Sequence, residues 1–351
     1  MKKINLNELK AFSVAVLEKA GLTKEYAEIT TEVLTTTDTF GVLSHGTKNL
    51  LGYIQKMQAG GLDAKAEPTV ICDGPAFAVL NGNKTIGMVS SYKAMEMAIE
   101  KAKTTGIAYV GVQNSCHFGA AGFYANMAAR EGMVGLSMSN GDPVMTVPGG
   151  SGTVIGNNPF SFAAPLGDKS VFLDIALSAV AALKVVMAKE KGIEVPKEWL
   201  VDENGEPTSD PTGFPGKSVL QPMAAHKGYG FAVMVEILAS VMTGAGLLSQ
   251  ITSWNLDLPA SNNVGHAFIA IDVSKMMDME TFQTRMAHMA EELHKAKVAK
   301  NASQIFRPGE MEWNKREAAL AAGEIEITDV MADNYKKLSE MFGVEVNIIE
   351  A

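Results

Sequence analysis

Cysteine is nearly absent: Cys72 and Cys116 are the only two in 351 residues, and they do not form a CxxC pair. A disulfide framework and a thiolate zinc site both need clustered thiols, so neither is expected. Basic charge is also in deficit, with 30 Lys and Arg against 39 Asp and Glu, a formal charge of −9 and a pI near 5.3. The electrostatic footprint of a nucleic-acid or anionic-lipid binder is missing, and a small-molecule ligand is expected instead. The most apolar stretch, Phe231 to Leu248, is short for a bilayer span and carries Glu236, which predicts a buried core helix. The opening MKKINLNELKAF reaches polar and acidic residues too soon for the apolar centre of a secretory leader, so a cytoplasmic protein is expected. Internal repeats and low-complexity tracts are lacking too.

Several chemical signatures are missing. A dinucleotide fingerprint needs GxGxxG between a strand and a helix. The nearest candidate, Gly150, Gly152 and Gly156, runs into Asn157-Asn158-Pro159 where the helix should begin, so a Rossmann domain is not supported. There is no GxxxxGK[ST] and no GxSxG, the marks of P-loop and nucleophile-elbow chemistry. No HExxH or comparable metal spacing occurs, and His288 and His294, six apart, read as surface residues.

What is present is ordinary globular composition, 47% apolar and 20% charged, in a chain long enough for two domains. Asn7 is placed to cap a first helix that turns Leu9, Phe12 and Val16 to one face and stops at Gly21. Thr23 is placed to cap a second, with Tyr26, Ile29 and Val33 inward, and Gly60-Gly61 closes a third. From about Pro68 the pattern changes. TVICDG and AFAVLNGN are short β-branched runs ending in turn signals, and helix and strand then alternate through IAYVGV, MVGLSMS, VFLDI and GHAFIAID. Residues 201–218 read as a surface excursion, and the tail loops through RPGE into a helix at about 314–322. The expected fold class is α/β (α+β).

Polar residues gather at turns between the apolar elements: Ser44-His45, His117, Asp142, Asn158, Asp174 with Ser178, and His226-Lys227. Loops on rigid scaffolds are where catalysis concentrates, although a lone loop histidine is more often incidental. Cys116 beside His117 is discounted as a nucleophile, because adjacent side chains rarely turn the same way. The small residues Gly119, Ala120, Ala121 and Gly122 open a helix, where exposed N–H groups can meet an anion.

Taken together, SHG at 44–46, NSCHFGAAGFYANMAAREGMVG at 114–135, GNNP at 156–159, LDIALS at 173–178, HKGYGFAVMVEIL at 226–238 and PGE at 308–310 resemble the type 2 malate/lactate dehydrogenase family over nearly the whole chain. The resemblance implies a homodimer and a cofactor domain that is not Rossmann-like, with a mixed, mainly antiparallel sheet. It divides the chain into a helical domain, residues 1–67 joined by helices from about 310–351, and an α/β domain, residues 68–309. It implies hydride transfer between NAD or NADP and C2 of a 2-hydroxy or 2-oxo acid. His45 and His117 match the positions that hand over a proton, with the choice between them open. Ser44, Lys48, Asn49 and Tyr53 match the substrate side. Asp174, Ile175, Ala176, Leu177 and Ser178 would lie against the cofactor, with Gly119 to Gly122, Asn140, Asn158, Lys227, Gly228, Pro308, Gly309 and Glu310 completing its site.

The departures concern substrate choice. Many relatives read LRGVDSHG and carry an arginine four residues after the histidine; here the stretch is TFGVLSHG, Asn49 takes the arginine position and Lys48 stands beside it. A bidentate fork is missing, and lysine is not its equivalent. Phe40 and Leu43 replace polar residues and suggest a more apolar approach to His45. VAALK at 180–184 replaces VARGK and leaves NADH against NADPH open. A cyclic imine reductase, a ureidoglycolate-type dehydrogenase and a catalytically silent nucleotide-binding protein remain the competing readings.

Overall fold

The computed structural model describes residues 2–350. Strand β1 (Lys2–Asn5) turns directly into α1 (Leu6–Lys19). The cap is therefore Asn5 and not Asn7: the first free N–H groups of the helix belong to Asn7 and Glu8, and both donate to Asn5 Oδ1, at 3.0 and 3.2 Å. Thr23 caps α2 (Lys24–Thr39) as expected, accepting from Tyr26 N–H. That helix ends in TTTDT, a β-branched run that helix propensity disfavours. It is tolerated because Thr35 and Thr37 donate their hydroxyls one turn back, to the carbonyls of Thr31 and Val33. α3 (Leu50–Gln58) follows the SHG loop.

The alternating region then supplies β2 (Thr69–Gly74), β3 (Phe77–Asn81), α4 (Gly87–Thr105), β4 (Ile107–Ser115), α5 (Ala121–Arg130), β5 (Met133–Ser139), β6 (Phe160–Leu166), β7 (Lys169–Ile175) and α6 (Ala182–Glu190). Three two-residue strands, β8 (Leu200–Val201), β9 (Pro207–Thr208) and β10 (Val219–Leu220), pair into a small sheet that ties down the excursion. α7 (His226–Glu236) and β11 (Val264–Asp272) come next. A seven-stranded sheet runs in the order β2-β3-β4-β11-β5-β6-β7. Only β3 and β4 pair in parallel, joined by the α4 crossover, so the sheet is mixed and mainly antiparallel.

After α8 (Met279–His294), α9 (Glu310–Ala322) begins at Glu310, so PGE opens a helix four residues earlier than its sequence indicates. β12 (Glu324–Ile327), α10 (Asp329–Phe342) and β13 (Ile349–Glu350) complete the chain. β12, β1 and β13 form an antiparallel sheet that joins the two ends of the chain. The main core runs without interruption from α1, α2 and α10 to α4, α5 and the strands β3 and β4.

The stretch from Phe231 is not the buried helix expected from its composition. α7 passes at Ile237 into a π-helical turn, and Phe231, Ile237, Val241 and Met242 are each about half exposed. The inward side of this stretch holds small residues, Ala232 and Ala239, with Val235 and the carboxylate of Glu236, which leaves the larger apolar groups outside. Among the described residues, no helix is long and apolar enough to cross a membrane.

Candidate active site

The loop between α2 and α3 presents His45, and buried hydrogen bonds fix it. Asp38, in the last turn of α2, accepts at Oδ2 from Thr47 N–H at 3.1 Å and Thr47 Oγ1 at 2.5 Å. Thr47 Oγ1 in turn lies 2.6 Å from Tyr335 Oη on α10. Gly46 is required by contact: a Cβ there would stand 1.8 Å from Asp38 Oδ1. Asn49 donates to the Ser44 carbonyl at 2.8 Å, and Ser44 Oγ lies 2.9 Å from His45 Nδ1. The residue at the arginine position is thus spent on closing the loop.

His117 reaches the same place from the end of β4. Its Nδ1 lies 2.5 Å from Oη of Tyr53, a fully buried residue on α3, and 3.4 Å from the Gly119 N–H that also points at it. Gly119, at φ +81, sits where a Cβ would press on Val33 at 3.2 Å. The imidazoles of His45 and His117 stack at 5.6 Å between centroids and 28° between planes. Trp254 lies against His117 at 4.7 Å and against Tyr53 at 5.0 Å. Both Nδ1 atoms are occupied, and neither Nε2 has a protein partner among the described residues.

Burial and the nearby Lys48 ammonium lower the pKa of His45. Burial, His45 and His266 hold His117 well below the usual imidazole range, and burial pushes the Tyr53 hydroxyl well above its own. Both imidazoles are therefore neutral at pH 7. Lys48 has no carboxylate partner among the described residues.

The second group of expected residues lies along β7 and the start of α7. The N-terminus of α5 is not the open anion cradle that Gly119 to Gly122 suggested, because Asp174 Oδ2 already accepts the Gly122 N–H at 2.7 Å. Beyond β7, Leu177 N–H donates to Asn157 O, Met223 N–H to Leu177 O and Gly228 N–H to Met223 O. Ile175, Ala176, Leu177 and Ser178 thereby share one neighbourhood with Lys227 and Gly228. Between them Ala224 and Ala225 take φ of 48 and 54, a conformation costly for alanine. Lys227 is exposed there.

Other expected residues are held by interactions within the protein. Asn140 and Asn158 are buried, and their amides donate to the Glu236 carboxylate at 3.2 and 2.9 Å, while Leu248 N–H gives it a third bond at 3.0 Å. They are held inside the protein by a buried acid and hold its loops together. Pro308 O accepts from Phe172 N–H on β7, and Gly309, at φ +82, is pressed on the Phe172 ring. Glu310 Oε2 is taken by His294 Nε2 at 2.8 Å and by Arg307 N–H at 3.0 Å, and His294 is exposed, as its spacing suggested. Phe40 does not make the approach to His45 apolar. It packs with Phe172 and Trp313 at 5.4 and 5.1 Å, beneath the Arg316 guanidinium.

Comparison with known proteins settles the family. The profile described as malate/L-lactate dehydrogenase matches residues 4–335. The chain belongs to that family. Among its members, malate dehydrogenase of Pyrococcus abyssi is 36% identical over 98% of this chain and 96% of its own length. Ureidoglycolate dehydrogenase (NAD(+)) of Escherichia coli K12 is 34% identical over 89% of this chain and 88% of its own. The solved structure of sulfolactate dehydrogenase from Methanocaldococcus jannaschii superposes with a TM-score of 0.91 at 30% identity, covering 98% of each chain. Family membership makes the protein an oxidoreductase of the 2-hydroxy acid dehydrogenase kind. Trp254, Lys56 and His266 belong to the surroundings of the imidazole pair and were not flagged by the motifs.

Proposed function

We propose that this chain moves a hydride between the nicotinamide of NAD or NADP and C2 of a 2-hydroxy or 2-oxo acid. One observation carries the reading: two stacked neutral imidazoles whose Nδ1 atoms are held by Ser44 and Tyr53, leaving both Nε2 edges for a ligand. Relatives named for malate, sulfolactate and ureidoglycolate support the substrate class.

The donor set suits a dinucleotide. Lys227 is an exposed cation beside a strained backbone turn, apt for phosphate, and Asp174 keeps Oδ1 for a hydroxyl while Oδ2 is bound to Gly122. Ile175, Ala176 and Ser178 would line the path between them. NADH or NADPH, when bound, supplies the hydride. The chain conveys the proton: in reduction His117, after taking one up from solvent, passes it to the oxygen on C2, and in oxidation the neutral ring takes it back, a contribution of about 10² to 10⁴ in rate. His45 and Ser44 would hold that oxygen or its neighbours. Lys48, without a carboxylate partner among the described residues and close enough to lower the pKa of His45, is a cation available to the substrate carboxylate.

The homodimer implied by the family remains part of the proposal, supported by the apolar side chains exposed along α7 and its continuation. Purified protein tested for oxidation of NADH and NADPH with oxo acids and cyclic imines examines the whole reading. Turnover of oxo acids supports it, turnover of imines alone replaces the substrate class, and cofactor binding with no turnover favours a silent binder.

A further inference from the structure

Trp254 is the one ring of the cluster to which the proposed chemistry gives no task. Its indole lies face to face with His117 at 4.7 Å and 19°, and with Tyr53 at 5.0 Å and 24°. It belongs to an irregular segment between α7 and β11, remote in sequence from both partners. A clasp brings it there. Lys56, one turn beyond Tyr53 on α3 and fully buried, donates from Nζ to the carbonyls of Asp257, Leu258 and Ala260 at 3.0, 3.2 and 2.8 Å. Glycines allow the close approach: a Cβ at Gly61 would stand 2.0 Å from Leu258 O, and one at Gly52 would stand 3.3 Å from the indole.

The groups facing His117 are Tyr53 from α3, His45 from its loop with Lys48 behind it, Cys116 next in the chain, and His266 from β11. Both nitrogens of His266 are held at 2.9 Å by the hydroxyls of Ser139 and Ser115. No carboxylate touches the His117 ring among the described residues. Burial and the neighbouring imidazoles all oppose a proton there. The indole face opposes them, because the negative π face of tryptophan attracts a cation more strongly than any other side-chain ring.

We infer that Trp254, held by the Lys56 clasp, is a positioning residue for His117 that fixes the plane of the imidazole and stabilises its protonated form during proton transfer. The inference rests on the reading of His117 as the proton-transfer residue. Solvent first protonates His117; as the hydride forms its bond to C2, the C=O π pair moves to oxygen and takes the proton from His117 Nε2 to become O–H, and the ring returns to neutral. Oxidation runs the same steps backwards.

Labelled-histidine NMR on the full chain reads the pKa of His117 directly, and the alkaline limb of kcat/KM for reduction reads its use. Trp254→Leu is expected to lower both by about half to one unit, from the worth of a cation over an aromatic face. Trp254→Phe, which keeps a face, is expected to retain most of the wild-type value, and Lys56→Met to shift in the same direction as leucine. Indole emission should be quenched as His117 gains its proton, a signal absent from Trp254→Phe. An unmoved His117 pKa in Trp254→Leu overturns the inference, and an unmoved pKa in Lys56→Met overturns the clasp. A shifted His117 pKa with an unmoved kinetic limb supports the coupling and overturns the assignment of His117 as the proton-transfer residue.

Discussion

Replacing Asp38 by asparagine removes an ionisable group of nearly the same shape from beneath the SHG loop. Asp38 is 2% exposed, its Oδ1 has no hydrogen-bond partner among the described residues, and burial raises its pKa from 3.8 to about 7 despite two bonds from Thr47. The native acid therefore keeps its proton to higher pH than the unfolded chain does. Its contribution to stability is complete below pH 3.8 and is lost as pH rises through about 7. Each unit is worth about 1.4 kcal/mol, so about 2–3 kcal/mol of the loss falls between pH 5 and pH 8. Asparagine does not titrate. It costs about 1–3 kcal/mol if its amide finds no acceptor, but that cost is the same at every pH. Urea unfolding of both proteins from pH 5 to pH 8 isolates the effect, since contributions from other residues cancel in the difference. The stability of Asp38→Asn relative to wild type should improve by about 2–3 kcal/mol over that range. Parallel curves would refute the placement of a buried, incompletely bonded carboxyl under the loop.

Three further outcomes follow from the site. His117→Ala should lower turnover by roughly 10²-fold or more, and His45→Ala should also lower it sharply, with circular dichroism and unfolding midpoints little changed; wild-type kinetics in both would remove the imidazole pair from the reaction. Asn49→Arg gives up the bond to the Ser44 carbonyl but restores a bidentate fork, so kcat/KM for oxaloacetate and malate should rise; unchanged dicarboxylate kinetics count against a clamp at that position. Glu236→Gln puts a donor where the carboxylate accepts three N–H bonds, so at least one is lost, and about 1–3 kcal/mol of stability should go with it; an unchanged melting temperature would contradict that clamp.

Local signals made much of the fold legible. Apolar spacing at 3.6 and 2 residues located the helices and strands, and Gly21 and Gly60 marked where helices stop. The helices and strands that are missed or displaced depend on distant partners. β1 is four residues long and reads as a preamble to α1, because its meaning comes from β12 and β13 more than 300 residues away. The half-exposed face after Phe231 defeats a composition argument, since hydropathy does not say which side of a helix an inward glutamate will claim. At the site, SHG and CHFG gave the two histidines, and LDIALS and HKG gave a shared neighbourhood through ordinary backbone pairing. The bonds of Asn140 and Asn158 to the buried Glu236 carboxylate could not be read from the sequence, because Glu236 lies about 80 to 100 residues away. Trp254 and Lys56 lie in no motif, so their role appears only once α3 and the segment before β11 are brought together.

The most direct test of the central claim is single-turnover oxidation of bound NADH or NADPH by the best 2-oxo acid, followed by absorbance in wild type and His117→Ala at matched cofactor occupancy. The account predicts that the variant binds cofactor as wild type does and transfers hydride roughly 10²-fold or more slowly. Hydride transfer at the wild-type rate, with cofactor bound and no histidine at position 117, would contradict it.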